Sequence, residues 1–108
     1  MILVFGGMYQ GKTDFARGLG KDPDPVPDLT AEIEKAMARG DDPDEYIDKR
    51  LPELRDRVVL MNDYSQGLVP MSPGQRAFRE ACGRAMIRLA RESSEVYRVF
   101  CGIGTRIK

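Results

Sequence analysis

The sequence predicts a small α/β domain built on a mainly parallel sheet, and three observations carry that expectation. Met1-Ile2-Leu3-Val4-Phe5 and Val58-Val59-Leu60-Met61 are continuous apolar runs without alternation, as expected of strands buried on both faces of a parallel sheet. A third strand pattern covers Glu95 to Cys101. Segments of helical periodicity lie between these runs, and strands alternating with helices argue for a small α/β domain with a parallel sheet. The chain of 108 residues suffices for one core, so residues 1–108 are expected to form a single domain.

The elements follow in order. After the first strand a glycine-rich turn leads into a helix over Thr13 to Leu19. Lys21 to Asp28 carries Pro23, Pro25 and Pro27 at alternate positions. Proline fixes φ and lacks an N–H, so this segment reads as an extended loop. The next helix takes Thr30 as its N-cap, with Leu29, Ile33, Ala36 and Met37 at helical spacing and Gly40 as its stop. Asp42 and Glu45 form a capping-box-like pair around Pro43, and Tyr46, Ile47 and Leu51 give that helix an apolar stripe up to Pro52. Tyr64 to Met71, with Gly67 and Pro70, reads as a loop. Ser72-Pro73 then opens the strongest helix. Phe78, Ala81, Cys82, Ala85, Met86 and Leu89 line one face, and five arginines take the others. Gly102 to Lys108 is expected to be a short tail.

Composition narrows the function classes. With 42% hydrophobic and 31% charged residues, the chain resembles an ordinary globular protein. No apolar run approaches the roughly 20 residues of a membrane-spanning helix. The first residues lack the basic lead of a signal peptide. Two cysteines are too few for a disulfide scaffold, and together these features predict a cytoplasmic protein. There is no histidine, which excludes histidine bases, histidine-activated nucleophiles, histidine metal ligands and nucleotidyl-histidine intermediates. The zero net charge hides an asymmetry: residues 20–56 carry 12 acids and 6 bases, residues 57–108 carry 4 acids and 9 bases. The basic half suits anionic ligands such as nucleotides. Its arginines are not interleaved with aromatics, which argues against nucleic acid, and solvated helix faces account for much of the pattern.

Gly6-Gly7-Met8-Tyr9-Gln10-Gly11-Lys12-Thr13 fits G-x-x-x-x-G-K-[ST], the phosphate-binding loop. Glycines let the backbone curl so that successive N–H groups converge on a phosphate, and the following helix directs its positive end at the same anion. Lys12 is expected at the terminal phosphates of ATP or GTP, and the Thr13 hydroxyl on Mg²⁺. Asp14, just inside the helix, offsets the helix dipole beside the same phosphates. Phosphoryl transfer also needs a carboxylate near the metal and the attacking oxygen. Asn62 and Asp63 end the second strand, where parallel sheets present side chains to the ligand crevice. Asp63 is therefore the candidate base or Mg²⁺ ligand and Asn62 a nucleotide contact; a plain loop-capping role for Asp63 is the competing reading. Cys82 reads as core, and Cys101 as a strand end that is buried or lines the site.

These residues resemble the adenosylcobinamide kinase / adenosylcobinamide-phosphate guanylyltransferase family of cobalamin biosynthesis. The likeness rests on Ile2 to Gly7 with Gly11-Lys12-Thr13, then Asn62-Asp63, Gly67-Leu68-Val69-Pro70, Arg76-x-Phe78-Arg79-Glu80, Gly83-Arg84 and Cys101-Gly102-Ile103. It covers residues 1–19 and 57–108, leaving 20–56 as a divergent insert in place of the family's central region. The resemblance implies a P-loop NTPase fold of the RecA-like kind, three layers α/β/α, with the strands ordered Glu95–Cys101, Met1–Phe5, Val58–Asn62. The family's guanylylated histidine and the strand bearing its usual Mg²⁺-binding aspartate are both missing from residues 20–56. The family's phosphate loop has Arg-Ser where this chain has Tyr9-Gln10, and glutamate where it has Asp63. The edge at Val58–Asn62 would then need covering, by residues 30–56 or by another subunit of a homo-oligomer. The expectation is an ATP- or GTP-dependent kinase acting on a cobinamide-like small molecule, without histidine-based guanylyltransfer. The alternative is a non-catalytic nucleotide-binding regulator or partner subunit.

Overall fold

The computed structural model describes residues 1–7, 9–19, 26–63 and 72–108. Met8, the first part of the proline-rich segment (20–25) and the loop 64–71 lie outside the described residues. Strand β1 is Ile2–Gly6, followed by helix α1 (Lys12–Gly18), α2 (Leu29–Ala38), α3 (Pro43–Arg50) and a single 3₁₀ turn at Leu51–Leu54. Strand β2 (Val58–Asn62), helix α4 (Pro73–Glu92), β3 (Glu95–Phe100) and β4 (Ile103–Arg106) complete the chain. The sheet order is β2-β1-β3-β4, with β1 parallel to both β2 and β3 and β4 antiparallel to β3. The predicted α/β class and the order of the three parallel strands therefore stand.

Strand alternation sorts the apolar residues into two cores, one on each face of the sheet. Leu3, Val59, Met61 and Val96 pack with Ile33, Ile47, Leu54 and Leu89 from the helical layer of α2, α3 and α4. Ile2, Val4, Val58, Leu60 and Val99 face the other way, onto Ala16 and Phe15 of α1. The three-layer arrangement follows directly. Phe15 also packs against Tyr97 in a tilted arrangement, with ring centroids 5.3 Å apart. It occupies the space over Gly104, where a Cβ would lie 2.1 Å from the ring.

Three expectations need correction. Residues 102–108 are not a tail. Phe100 pairs with Ile103 across Cys101 and Gly102, whose φ values of 52° and 75° make the two-residue left-handed turn that matches strand twist. Cys101 is consequently exposed at a hairpin tip rather than buried at a strand end. The N-cap of α2 is Asp28, whose carboxylate accepts from the N–H groups of Thr30 and Ala31 at 3.0 and 3.2 Å. Thr30 itself is buried inside the first turn.

The third correction concerns the edge of β2. Residues 26–28 run alongside it, and Asp28 forms a parallel bridge with Leu60. The Leu60 N–H donates to the Pro27 carbonyl at 2.8 Å, and the Asn62 N–H donates to the Thr30 hydroxyl oxygen at 2.8 Å. These outward donors of β2 are thus satisfied within the chain, by a few residues immediately before and inside α2, and at these donors the edge needs no second subunit.

Candidate functional site

β1 runs straight into the glycine loop. At its last residue the two parallel strands come so close that a Cβ on Gly6 would sit 2.5 Å from the Val99 carbonyl oxygen. Glycine is required there by space. Beyond it, Tyr9 and Gly11 both hold left-handed backbone, φ 61° and 86°, which curls the chain back into the N-cap of α1. For Tyr9 this conformation is costly, and its side chain is 96% exposed. The Lys12 ammonium folds back over the loop and donates to the Gly7 carbonyl at 2.9 Å. Burial draws the Lys12 pKa down from its ordinary value, while the Asp28 carboxylate pulls it up. A bound phosphate would act in the same sense as Asp28.

The other loop residues divide. Thr13 is exposed at the first turn of α1, open to a metal and its waters. Asp14 is exposed and forms an i,i+3 pair with Arg17 at 3.8 Å, an arrangement of a solvated helix start. The Gln10 side chain is engaged elsewhere: its Oε1 accepts from the Cys101 N–H at 2.7 Å, and its carbonyl accepts from the Gly102 N–H at 2.7 Å. The tip of the β3–β4 hairpin thereby docks on the loop, with a Cβ on Gly11 only 3.1 Å from the Gly102 Cα. A phosphate contact from Gln10 falls to its backbone N–H.

Asn62 and Asp63 emerge where expected, at the carboxyl end of β2 beside the loop. The Asp63 N–H donates to the Gly6 carbonyl at 2.8 Å, so the two strand ends are tied together. Asn62 and Asp63 line one end of a groove that runs beside α4. Asp28 was not anticipated. It bridges Leu60, the middle residue of β2, and its charge is felt at Lys12. Residues 20–56 were expected to lack a strand ending in aspartate, and among the described residues they hold no strand, only the isolated bridge of Asp28 to Leu60. The signal was present in Val26-Pro27-Asp28: proline is tolerated on an edge strand that pairs on one side only, where it need supply just a carbonyl.

Among the described residues no three Cys, Asp or Glu side chains cluster as a ready-made metal cage. Mg²⁺ bound mainly by nucleotide phosphates and water needs no such cage, only one or two protein oxygens. The Thr13 hydroxyl and a carboxylate from Asp28 or Asp63 fit that requirement. Among the described residues no helix is long and apolar enough to cross a membrane. Cys82, on the buried face of α4, has its thiol pushed up to about 11 by burial, reinforced by the charges of Asp28 and Glu34. It is core and chemically inert.

Sheet order, the glycine loop entered from β1 and the helical layers on both faces define a P-loop NTPase-like α/β domain. The chain belongs to the cobinamide kinase / cobinamide phosphate guanyltransferase (CobU) family, whose model matches residues 25–107. That match takes in α2 and α3, the region set apart above as a divergent insert. The chain is similar to the bifunctional adenosylcobalamin biosynthesis protein CobU of Salmonella typhimurium, 34% identical over 97 residues, which is 89% of this chain and 52% of that protein. It is also similar to the protein of the same name from Escherichia coli, 41% identical over 51 residues, 47% of this chain and 28% of that protein. The chain spans about half the length of the first of these relatives.

Proposed function

We propose that this domain binds a purine nucleoside triphosphate with Mg²⁺ at Gly6 to Thr13 and transfers the γ-phosphate to the hydroxyl of a small molecule in cobalamin biosynthesis. The single observation that carries the reading is the loop geometry. Left-handed Tyr9 and Gly11 close a turn around which the Lys12 ammonium is already folded, with Thr13 at the helix start. The relatives' names, a cobinamide kinase and guanyltransferase family and an adenosylcobalamin biosynthesis protein, supply the substrate class.

When bound, Mg²⁺ would supply positive charge that neutralises the phosphates. The Thr13 hydroxyl and a carboxylate from Asp28 or Asp63 would hold the metal, and Lys12 would place its charge against the oxygens of the moving phosphoryl group. Asp63 accepts the acceptor hydroxyl's proton as that oxygen attacks the γ-phosphorus. The bond from phosphorus to the β,γ-bridging oxygen breaks, and the nucleoside diphosphate leaves with that oxygen. These 108 residues contain no histidine, so they offer no side chain for a guanylyl-histidine step.

Calorimetry with Mg·ATP and Mg·GTP on the wild type and on Lys12→Ala tests the binding claim. Wild type should bind at least one of them, and Lys12→Ala should lose about a hundredfold in affinity, about 2.7 kcal/mol, without a change in unfolding midpoint. Absence of binding by wild type sinks the proposal. Turnover of labelled γ-phosphate with cobinamide then separates a kinase from a nucleotide-binding regulator.

A further inference from the structure

The glycine loop and the tip of the β3–β4 hairpin are two turns of left-handed backbone that meet. In the loop, Tyr9 and Gly11 hold φ values of 61° and 86°; at the tip, Cys101 and Gly102 hold 52° and 75°. Tyr9 and Cys101 are not glycines, and left-handed backbone at such residues persists only where the surroundings over-determine it. Their own side chains do not supply that constraint, because both are exposed. Gln10 supplies it. Its Oε1 accepts from the Cys101 N–H and its main-chain carbonyl accepts from the Gly102 N–H, each at 2.7 Å. A single residue of the loop thus takes both successive donors of the hairpin turn.

The two partners of this clamp differ in firmness. β3 pairs with β1 from Ile2 to Phe5, and β4 pairs with β3 up to the turn. The Phe15 ring of α1 lies over Gly104 of β4 and against Tyr97 of β3. The tip is therefore braced by strands and by α1. The loop has Gly6, Gly7 and Gly11, and glycine is the residue that loses most conformational freedom on being ordered. Contact between the two is backbone to backbone, since a Cβ on Gly11 would lie 3.1 Å from the Gly102 Cα.

The clamp also sets the direction of a loop donor. A trans peptide is planar, with its C=O and N–H directed oppositely. Because the Gln10 carbonyl is aimed at the hairpin, the Gly11 N–H is turned away from it. Turns of this kind gather successive N–H groups into an anion-binding concavity. We propose that Gln10 is a positioning residue of the phosphate site: by clamping the hairpin tip it holds Tyr9 to Gly11 in the anion-receiving conformation before the nucleotide arrives. The proposal rests on the nucleotide-binding reading above and adds what orders its loop. The Gln10 side chain acts through the loop backbone, and the gain is preorganisation: ordering that the ligand no longer has to drive.

Calorimetry and amide exchange by NMR on the full chain test this role. Gln10→Met keeps the length of the side chain and removes the acceptor. It should weaken binding of Mg·ATP and of inorganic triphosphate with Mg²⁺ alike, about fivefold, the worth of one hydrogen bond. The losses match because the clamp acts on the phosphate cradle and not on the base. The hydrogen bond to Cys101 is exposed, so water replaces it in the variant and the urea midpoint should stay in place. Gln10→Glu keeps an acceptor oxygen at the same reach, and should keep the Cys101 amide protected in the nucleotide-free protein where Gln10→Met exposes it. Coupling is reciprocal, so saturating Mg·ATP should slow exchange of the wild-type Cys101 and Gly102 amides by about the same fivefold. That measurement stands whether or not a variant folds. Unchanged affinity in folded Gln10→Met, a loss confined to Mg·ATP, or tip amides that do not respond to nucleotide each overturn the proposal alone. Wild type that binds neither Mg·ATP nor triphosphate defeats the nucleotide-binding reading, and the proposal falls with it.

Discussion

Asp28 does two jobs that a substitution can separate. One carboxylate oxygen caps α2 through the Thr30 and Ala31 N–H groups, and the group's charge acts on Lys12. Asparagine caps helices as well as aspartate does, whereas alanine costs about 1 kcal/mol at this position. Asp28→Asn should therefore leave the urea midpoint in place, and Asp28→Ala should lower stability by about 1 kcal/mol. If Asp28 also holds the metal, both variants should lose about tenfold in the gain that Mg²⁺ gives to ATP affinity. Metal-free ATP should bind no worse, because removing a carboxylate near Lys12 makes the site more positive. Calorimetry with and without Mg²⁺ reads the two numbers. An unchanged Mg²⁺ dependence would leave Asp28 as a helix cap and return the metal to Asp63.

At the scale of elements, what was legible from sequence depended on whether the deciding interactions were local. Helix α4 was legible because its start is self-contained. The Ser72 hydroxyl and the Gln75 side chain bond each other's backbone N–H, with Pro73 at the first helical position and the apolar stripe following at helical spacing. The phosphate loop was legible for a similar reason, since its backbone curl is written in its own glycines. Strand β4 was not. Ile103-Gly104-Thr105-Arg106 has no pattern of its own and becomes a strand only by pairing with β3 across a turn in which Cys101 must adopt left-handed backbone. The covered edge of β2 was equally hidden, because it depends on Thr30 meeting Asn62, thirty-two positions away. That contact predicts a specific cost. Thr30→Val keeps the shape and removes the acceptor, leaving the Asn62 N–H without its partner at a part-buried site. Such a loss costs about 1–3 kcal/mol. Thr30→Ser, which retains the oxygen, should recover most of it in urea unfolding. Equal stability of Thr30→Val and wild type would show that water reaches this edge, and that the segment before α2 does not seal it.

For the whole molecule, the charge asymmetry along the chain becomes a set of contacts between layers. Arg84 reaches Asp44 at 3.3 Å and Arg88 pairs with Asp48, so the basic α4 meets the acidic α3. These pairs are exposed and contribute about 0–1 kcal/mol each. The pair with more at stake is less exposed. Glu32 of α2 accepts from Arg50 of α3 at 2.8 Å and from the Tyr46 hydroxyl, joining two helices of the segment that separates the loop from β2. Burial alone would push the Glu32 carboxyl up, but the hydrogen bonds from Arg50 and Tyr46 and the Arg50 charge outweigh it, and its pKa lies below the ordinary 4.5. The sign of the consequence follows. The unfolded chain takes up this proton more readily than the folded one, so the contribution is fully present above about pH 5 and is lost as pH falls through the folded value. Glu32→Gln should accordingly lower stability near neutral pH by about 1.5 kcal/mol, the cost of weakening charged hydrogen bonds. Its difference from wild type should shrink as the solution is acidified. Urea midpoints of the two proteins, compared from about pH 7 down to about pH 4, measure that convergence. Parallel curves would mean that the carboxylate is held by solvent as well in the unfolded chain as by Arg50 in the fold.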